Sequence, residues 1–423
     1  ADVAATSVAK PSSAAQVILA GSGAKRGRID GETRLRYPGF EQTTIVSTGK
    51  NIVLITMEAV DEPNRGPVQC SCSSYELQPN GPPKEIVSLK RLTDYERKGT
   101  AERTCNHPKA AADENGNIVW AYGSDYDSNR PNMYAGIINS KCEHLSAPQM
   151  VSIPRDANDG APDVQYLGNG QFVAGYYSDG GDPTTGFPAP GGDYSVAMGL
   201  AVKNGGLLPT LERTWITPVV TPTNIGRPTI AAVSLDRALF CAPKGPNRPS
   251  DSIECGLINT TDGSVLTKSE FFKGNRDTNM GKRTYFNQPT VVKVADNQFA
   301  LMAIESSGMG KNTNIKGSNT THMMMIERNG DILTGGGSIV GAAAHQTHAT
   351  ICPGSYGEQG ATAIGVFSAA PTGIGRAAMA MVQYDSNAKA FKYDPNADLW
   401  PAAWYGDSGH LANWYGRNPM RQG

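Results

Sequence analysis

The feature that most constrains this chain is that it repeats itself. A polar residue, often followed by Pro, opens a short apolar or alternating run; a turn follows, then a second apolar run. The blocks begin Glu41-Gln42-Thr43, His107-Pro108-Lys109, Ala161-Pro162-Asp163, Arg227-Pro228-Thr229, Gln288-Pro289-Thr290 and, more loosely, His348-Ala349-Thr350. Successive starts are 66, 54, 66, 61 and 60 residues apart. In the first five blocks the second run opens ten residues after the start, at Asn51, Asn117, Gln171, Arg237 and Gln298. Constant internal spacing with variable steps is what repeated units with variable outer loops produce.

Each block carries a third run: Val68–Tyr75, Met133–Asn139, Tyr194–Val202, Ser252–Asn259, Thr321–Arg328 and Arg376–Tyr384. A weaker fourth often follows, as at Gln149–Ile153 and Leu211–Ile216. Runs of this length, bounded by turn residues and rich in Val, Ile, Tyr and Thr, read as strands. The 48 Gly and 28 Pro are more than average usage supplies, yet too few for a low-complexity chain. Four strands per unit is the make-up of a β-propeller blade. The expectation is an all-β fold, a six-bladed β-propeller of four-stranded blades. A pair of sandwiches has no reason to repeat at this period. The small residues of Lys109-Ala110-Ala111-Ala112 and Thr229-Ile230-Ala231-Ala232 mark the first run as the inner strand. Residues 1–38 are then an N-terminal arm, with Val17–Ala20 a candidate closing strand for the last blade. Residues 39–390 form the propeller, and residues 391–423 an aromatic tail packed on it.

The blocks thus resemble those of six-bladed β-propellers over residues 40–390, and the start-plus-ten pairs carry the resemblance. No signature of a particular propeller family accompanies them. The Ser-x-Asp-x-Gly-x-Thr-Trp box of sialidase-like propellers is missing, no Trp-Asp pair closes a block, and Gly-Gly pairs do not recur in register. No family's functional residues can be carried over.

Lys and Arg total 38 against 39 Asp and Glu, a net charge of −1. That argues against a broad nucleic-acid or anionic-membrane surface, which needs a basic excess. No apolar run approaches the ~18 residues of a membrane span. The opening Ala1-Asp2-Val3-Ala4-Ala5 looks like the remainder of a small-residue cleavage site. With seven cysteines, this suggests a secreted or cell-surface protein with one to three disulfides and at least one cysteine left over. Cys241 and Cys255 fall on the second and third runs of one block, and are expected to pair across those strands.

If every block starts at the same structural position, the start residues converge on one funnel. Glu41, His107, Arg227 and Gln288, with His348 and nearby His345, form the candidate ligand-binding ring. His345, His348 and His107 could instead hold a metal, or His107 and His348 could work with Glu41 as acid–base groups while Arg227 grips an anion. A second cluster suggests calcium as a possible cofactor. Asp125, Asp127 and Asn129 place oxygens at alternate positions, and Asp156 and Asn158 lie in another oxygen-rich loop. Ordinary Asx turns, which form for backbone reasons alone, are the simpler reading of such loops. Three of the five Trp, namely Trp400, Trp404 and Trp414, sit in the tail, where packing is the simpler reading than a sugar platform.

A polar ring without an evident nucleophile points first to a recognition or adhesion module binding a glycan or protein on the funnel face. The alternatives are a propeller enzyme, a hydrolase or lyase using the same ring, and a structural subunit of an extracellular assembly, with homo-oligomer contacts.

Overall fold

The computed structural model describes residues 28–29, 33–34, 43–59, 68–79, 81, 83–95, 105–125, 131–152, 159–178, 193–203, 206–219, 228–244, 252–274, 283–308, 319–340, 349–354, 361–370, 376–385, 387–392 and 399–400. Among the described residues every regular element is a β-strand. Strands β1 (Arg28–Ile29) and β2 (Thr33–Arg34) make a short antiparallel pair. The rest form antiparallel meanders, almost all of four strands.

Sheet I runs β3 (Thr43–Ser47), β4 (Asn51–Ala59), β5 (Val68–Glu76), β6 (Lys84–Arg91). Sheet II runs β7 (Asn106–Ala112), β8 (Ile118–Ser124), β9 (Asn132–Ile138), β10 (His144–Met150). Sheet III runs β11 (Asp159–Gly168), β12 (Gln171–Ser178), β13 (Asp193–Lys203), β14 (Gly206–Val219). Sheet IV runs β15 (Thr229–Ser234), β16 (Arg237–Lys244), β17 (Ser252–Asn259), β18 (Val265–Phe271). Sheet V runs β19 (Arg283–Ala295), β20 (Gln298–Gly308), β21 (Asn319–Asn329), β22 (Ile332–Val340). Sheet VI runs β23 (Ala349–Gly354), β24 (Ala361–Ala370), β25 (Arg376–Asp385), β26 (Ala390–Lys392), and β27 (Leu399–Trp400) also pairs with β25.

The sheets meet through their first strands. β3 packs on β7, β7 on β11, β11 on β15, β15 on β19 and β19 on β23. The sequence explains the layering. β8 and β9 are buried at every position, as continuous apolar runs covered on both faces should be. The fourth strands β6 and β10 alternate between exposed and half-buried, as edges with polar residues do. First strand β7 is half-buried throughout except at Pro108.

The fourth strand of sheet II starts earlier than its sequence suggests, at His144 rather than near Gln149. Asn139 closes a tight turn by accepting the Lys141 and Glu143 backbone N–H groups on Oδ1, so the chain reverses at once.

Core clusters bridge neighbouring sheets rather than filling one centre. Val53, Ile55, Cys70 and Cys72 of sheet I pack with Ile118, Trp120 and Tyr122 of sheet II. Val119, Ala121 and Met133 of sheet II pack with Val164, Phe172 and Tyr176 of sheet III. Leu239 and Cys241 of sheet IV pack with Phe286, Phe299 and Leu301 of sheet V. Disulfides Cys70–Cys105 and Cys72–Cys142 tie β5 to sheet II. Cys241 and Cys255 stand directly opposite across β16 and β17 and are bonded, with Cα atoms 4.1 Å apart. No helix among the described residues is long and apolar enough to cross a membrane.

Candidate functional site

The repeated Xaa-Pro at the block starts has a structural cause. In sheets II, III and V the ladder between the first two strands slips by one residue there. The slips fall between Asn106 and Lys109, Gly160 and Asp163, and Asn287 and Thr290. Each slip is a β-bulge holding Pro108, Pro162 or Pro289. Proline has no N–H to give to a ladder, so it sits where the ladder is already interrupted. A bulge also re-aims the side chains beside it. His107, in the first of these bulges, has φ 53°, a left-handed conformation uncommon for a residue with a side chain.

In sheets III and IV the residue after the Pro reaches the neighbouring sheet. Asp163 follows Pro162 on β11. Its Oδ2 accepts the Thr229 hydroxyl at 3.0 Å and the Ile230 N–H at 2.8 Å, both from β15 of sheet IV. Its Oδ1 accepts the adjacent Val164 N–H at 3.0 Å. Thr229 in turn follows Pro228, and its hydroxyl oxygen accepts the Val291 N–H of β19 in sheet V at 3.1 Å. One rule therefore operates twice. The third residue of a block accepts the backbone N–H of the fourth residue of the next block.

Lys109 holds the corresponding place in sheet II. An ammonium cannot accept a hydrogen bond, so Asp163 satisfies the Val164 N–H itself. Lys109 instead faces Asp163 as a charge. Burial dominates and pushes the Asp163 carboxyl above its ordinary 3.8, against the opposing pull of Lys109 and the three donors. Gly175 stands opposite Asp163 on β12. A Cβ there would lie 2.5 Å from the Ile230 Cδ1, so the glycine lets sheets III and IV approach closely.

A second polar pair lies at the loop-bearing end of sheet V. His322 Nε2 is 2.6 Å from Glu305 Oε2. Glu305 stands opposite Phe286 in the ladder, two residues before the block start at Gln288. The Phe272 and Phe286 rings stack at 5.3 Å, and His322 meets both edge-on at 6.1 and 5.2 Å. The His322 and Glu305 side chains are 18% and 25% exposed, so the pair is shielded yet reachable. A carboxylate accepting from one imidazole nitrogen orients the ring and leaves the other nitrogen to take or give a proton.

Of the ring expected from the sequence, His107 is the member whose side chain is described. Gln288 is placed on β19 by its backbone alone. Glu41, Arg227, His345 and His348 lie outside the described residues. Asp125 follows β8 half-buried, whereas Asp127, Asn129, Asp156 and Asn158 lie outside the described residues. Among the described residues no group of three His, Cys, Asp or Glu side chains could hold a metal ion.

Among the described residues, the third residues of blocks three and four, Asp163 and Thr229, reach across to the next sheet. The signal for them is present in the sequence. Position three reads Thr43, Lys109, Asp163, Thr229, Thr290, Thr350, so opposite charges occupy neighbouring blocks in a row of threonines. His322 gives no such signal, because it precedes Met323-Met324-Met325 in what reads as plain core.

No family model matches the chain, and no curated protein matches it. Solved structures with a similar outline include a protein of unknown function from Dyadobacter fermentans, 10% identical, covering 83% of this chain and 97% of that one, with a TM-score of 0.41. The NanB sialidase from Streptococcus pneumoniae is 9% identical over 81% of this chain and 75% of that one, with a TM-score of 0.44. A leech intramolecular trans-sialidase is 8% identical over 79% and 65%, with a TM-score of 0.46. At these values the likenesses decide nothing about what this chain does.

Proposed function

We propose that the chain is a six-bladed β-propeller of the extracellular space that acts on a carbohydrate as a hydrolase or lyase. The observation that carries the enzyme reading is the His322–Glu305 pair, an oriented imidazole at the end of sheet V that carries the block start at Gln288. Glycoside cleavage by hydrolysis or elimination needs a positioned acid–base group, and such a pair supplies one. His107, Gln288, Glu41, Arg227, His345 and His348 then bind and orient the sugar around the funnel. The three disulfides suit an oxidising compartment. In this reading the arm, the propeller and the aromatic tail divide at residues 38 and 390, and Asp125, Asp127, Asn129, Asp156 and Asn158 belong to calcium-binding loops.

A second reading, recognition without turnover, has its own support. The Asp163 carboxylate is taken up by backbone and hydroxyl donors, so it offers no free carboxylate for chemistry.

The test is a panel of neutral and acidic glycans assayed for new reducing ends and for unsaturated products, alongside a glycan array. The enzyme reading expects turnover that His322→Gln and Glu305→Gln lower at least ~100-fold while array binding persists. Binding with no turnover in the native protein establishes the recognition module instead. Neither binding nor turnover overturns the carbohydrate reading.

A further inference from the structure

The hydrogen-bond thread from Asp163 through Thr229 to Val291 runs through the first strands of three sheets, which also share apolar packing and, between sheets IV and V, the Ser269–Leu333 hydrogen bond and the Arg237–Asp331 ion pair. We propose that it is a proton-responsive coupling, in which the charge state of Asp163 sets how firmly sheets III, IV and V hold together at their first strands. The proposal does not depend on what the funnel binds.

Three observations carry it. First, both Asp163 oxygens are committed, to donors from its own strand and from β15. Second, Thr229 is a relay. Its hydroxyl has one proton, given to Asp163, and its oxygen is thereby left to accept from Val291. A change at Asp163 therefore reaches sheet V through a single side chain. Third, the surroundings isolate Asp163. The strands packed on β11 are β7, β8, β9, β12 and β15. Their ionisable side chains are His107 and Lys109 on β7, Tyr122 on β8, Tyr134 on β9, and Tyr176 and Tyr177 on β12, with none on β15. Among the described strands packed there, Asp163 is thus the acidic group, apart from Asp159 at the start of its own strand.

The sign follows from burial. The folded state holds the Asp163 proton more tightly than the unfolded chain does, so stability falls as pH rises from 3.8 through the raised folded value. Protonation turns one of the two acceptor oxygens into a donor, so acid eases the burial of charge while weakening the thread itself.

The experiment measures thermal midpoints from acid to neutral pH, with amide exchange at Ile230 and Val291, in the full chain. Native protein is expected to show a falling component of stability with pH, which Asp163→Asn removes and His107→Gln leaves in place. Thr229→Val should accelerate exchange at Val291 roughly tenfold while Ile230 stays protected. Thr229→Ser, which keeps the hydroxyl, should restore Val291. The proposal is overturned if the pH component survives Asp163→Asn or disappears in His107→Gln. It is equally overturned if Val291 exchange is unchanged in Thr229→Val. Should Asp163→Asn fail to fold, the Thr229 pair decides alone.

Discussion

The join between sheets I and II and the join between sheets III and IV solve one problem in two ways. Both must hold first strands together that share no ladder. At sheets I and II the means is covalent and aromatic. Two disulfides leave β5, Trp120 stacks on Tyr122 at 4.8 Å, and the Tyr95 and Tyr122 hydroxyls meet. Buried Gln69 fixes the chain there, receiving the Tyr95 N–H and Thr93 hydroxyl on Oε1 and donating Nε2 to the Tyr95 carbonyl. At sheets III and IV there is no cross-link among the described residues. One carboxylate and one threonine take its place, over an apolar cluster of Val173, Ala197, Ile230 and Phe240. A disulfide acts chiefly by restricting the unfolded chain and is indifferent to pH below the thiol range, whereas a buried carboxylate is not. A repeated fold can therefore carry seams that answer to different conditions.

The largest effect that would break this contrast is reduction. Replacing Cys105 and Cys142 by Ser removes both links from β5 to sheet II and is expected to cost about 2–5 kcal/mol per bond in denaturant unfolding. Equal loss from Cys255→Ser would show that the join of sheets I and II is not special. Next comes Asp163→Ala, which strands the Ile230 and Val164 N–H groups and the Thr229 hydroxyl. A cost of roughly 2–4 kcal/mol is expected, read from the unfolding midpoint at neutral pH. Tyr122→Phe removes only the hydroxyl meeting Tyr95 and should cost about 1 kcal/mol, with the ring stack unchanged by near-ultraviolet dichroism.

The smallest effect sharpens the pH comparison. Glu270 is hydrogen-bonded and charge-paired to Lys244, with Lys273 nearby, and these hold its carboxyl below 4.5. Its contribution is therefore present above that value and lost as pH falls, opposite in sign to Asp163. The Glu270 side chain is 34% exposed, so Glu270→Gln should change stability by less than ~0.5 kcal/mol. Acid titration of the two variants should give slopes of opposite sign, and slopes of one sign would remove the distinction.

Local pattern carried much of this fold into view. The third run Ser252–Asn259 coincides with β17 to the residue, and the runs at Val68 and Arg376 open β5 and β25. Such runs are legible because strand formation follows alternation and turn residues within a few positions. Cys241 with Cys255 was legible for the same reason, since partners on consecutive strands of one meander are close in sequence, 14 residues apart. The fourth strand of sheet II was less so, because Asn139 shortens a turn that composition alone leaves open.

The long-range chemistry was decided elsewhere. Cys70 and Cys72 share a strand face yet bond to residues 35 and 70 positions away, and no spacing in the chain distinguishes those partners from the exchanged pairing. The Pro after His107, Ala161 and Gln288 marks a bulge, and in the third block the residue beyond it, Asp163, makes the contact with the next sheet. Asp163 finds Thr229 and Ile230 at separations of 66 and 67 residues. The sequence by itself determined a repeating unit of four short strands, because hydrophobic alternation and turns act locally. The tertiary structure decided which side chains of neighbouring units touch. Packing first strands side by side is a long-range event, and its geometry is set by buried N–H groups that must each find an acceptor.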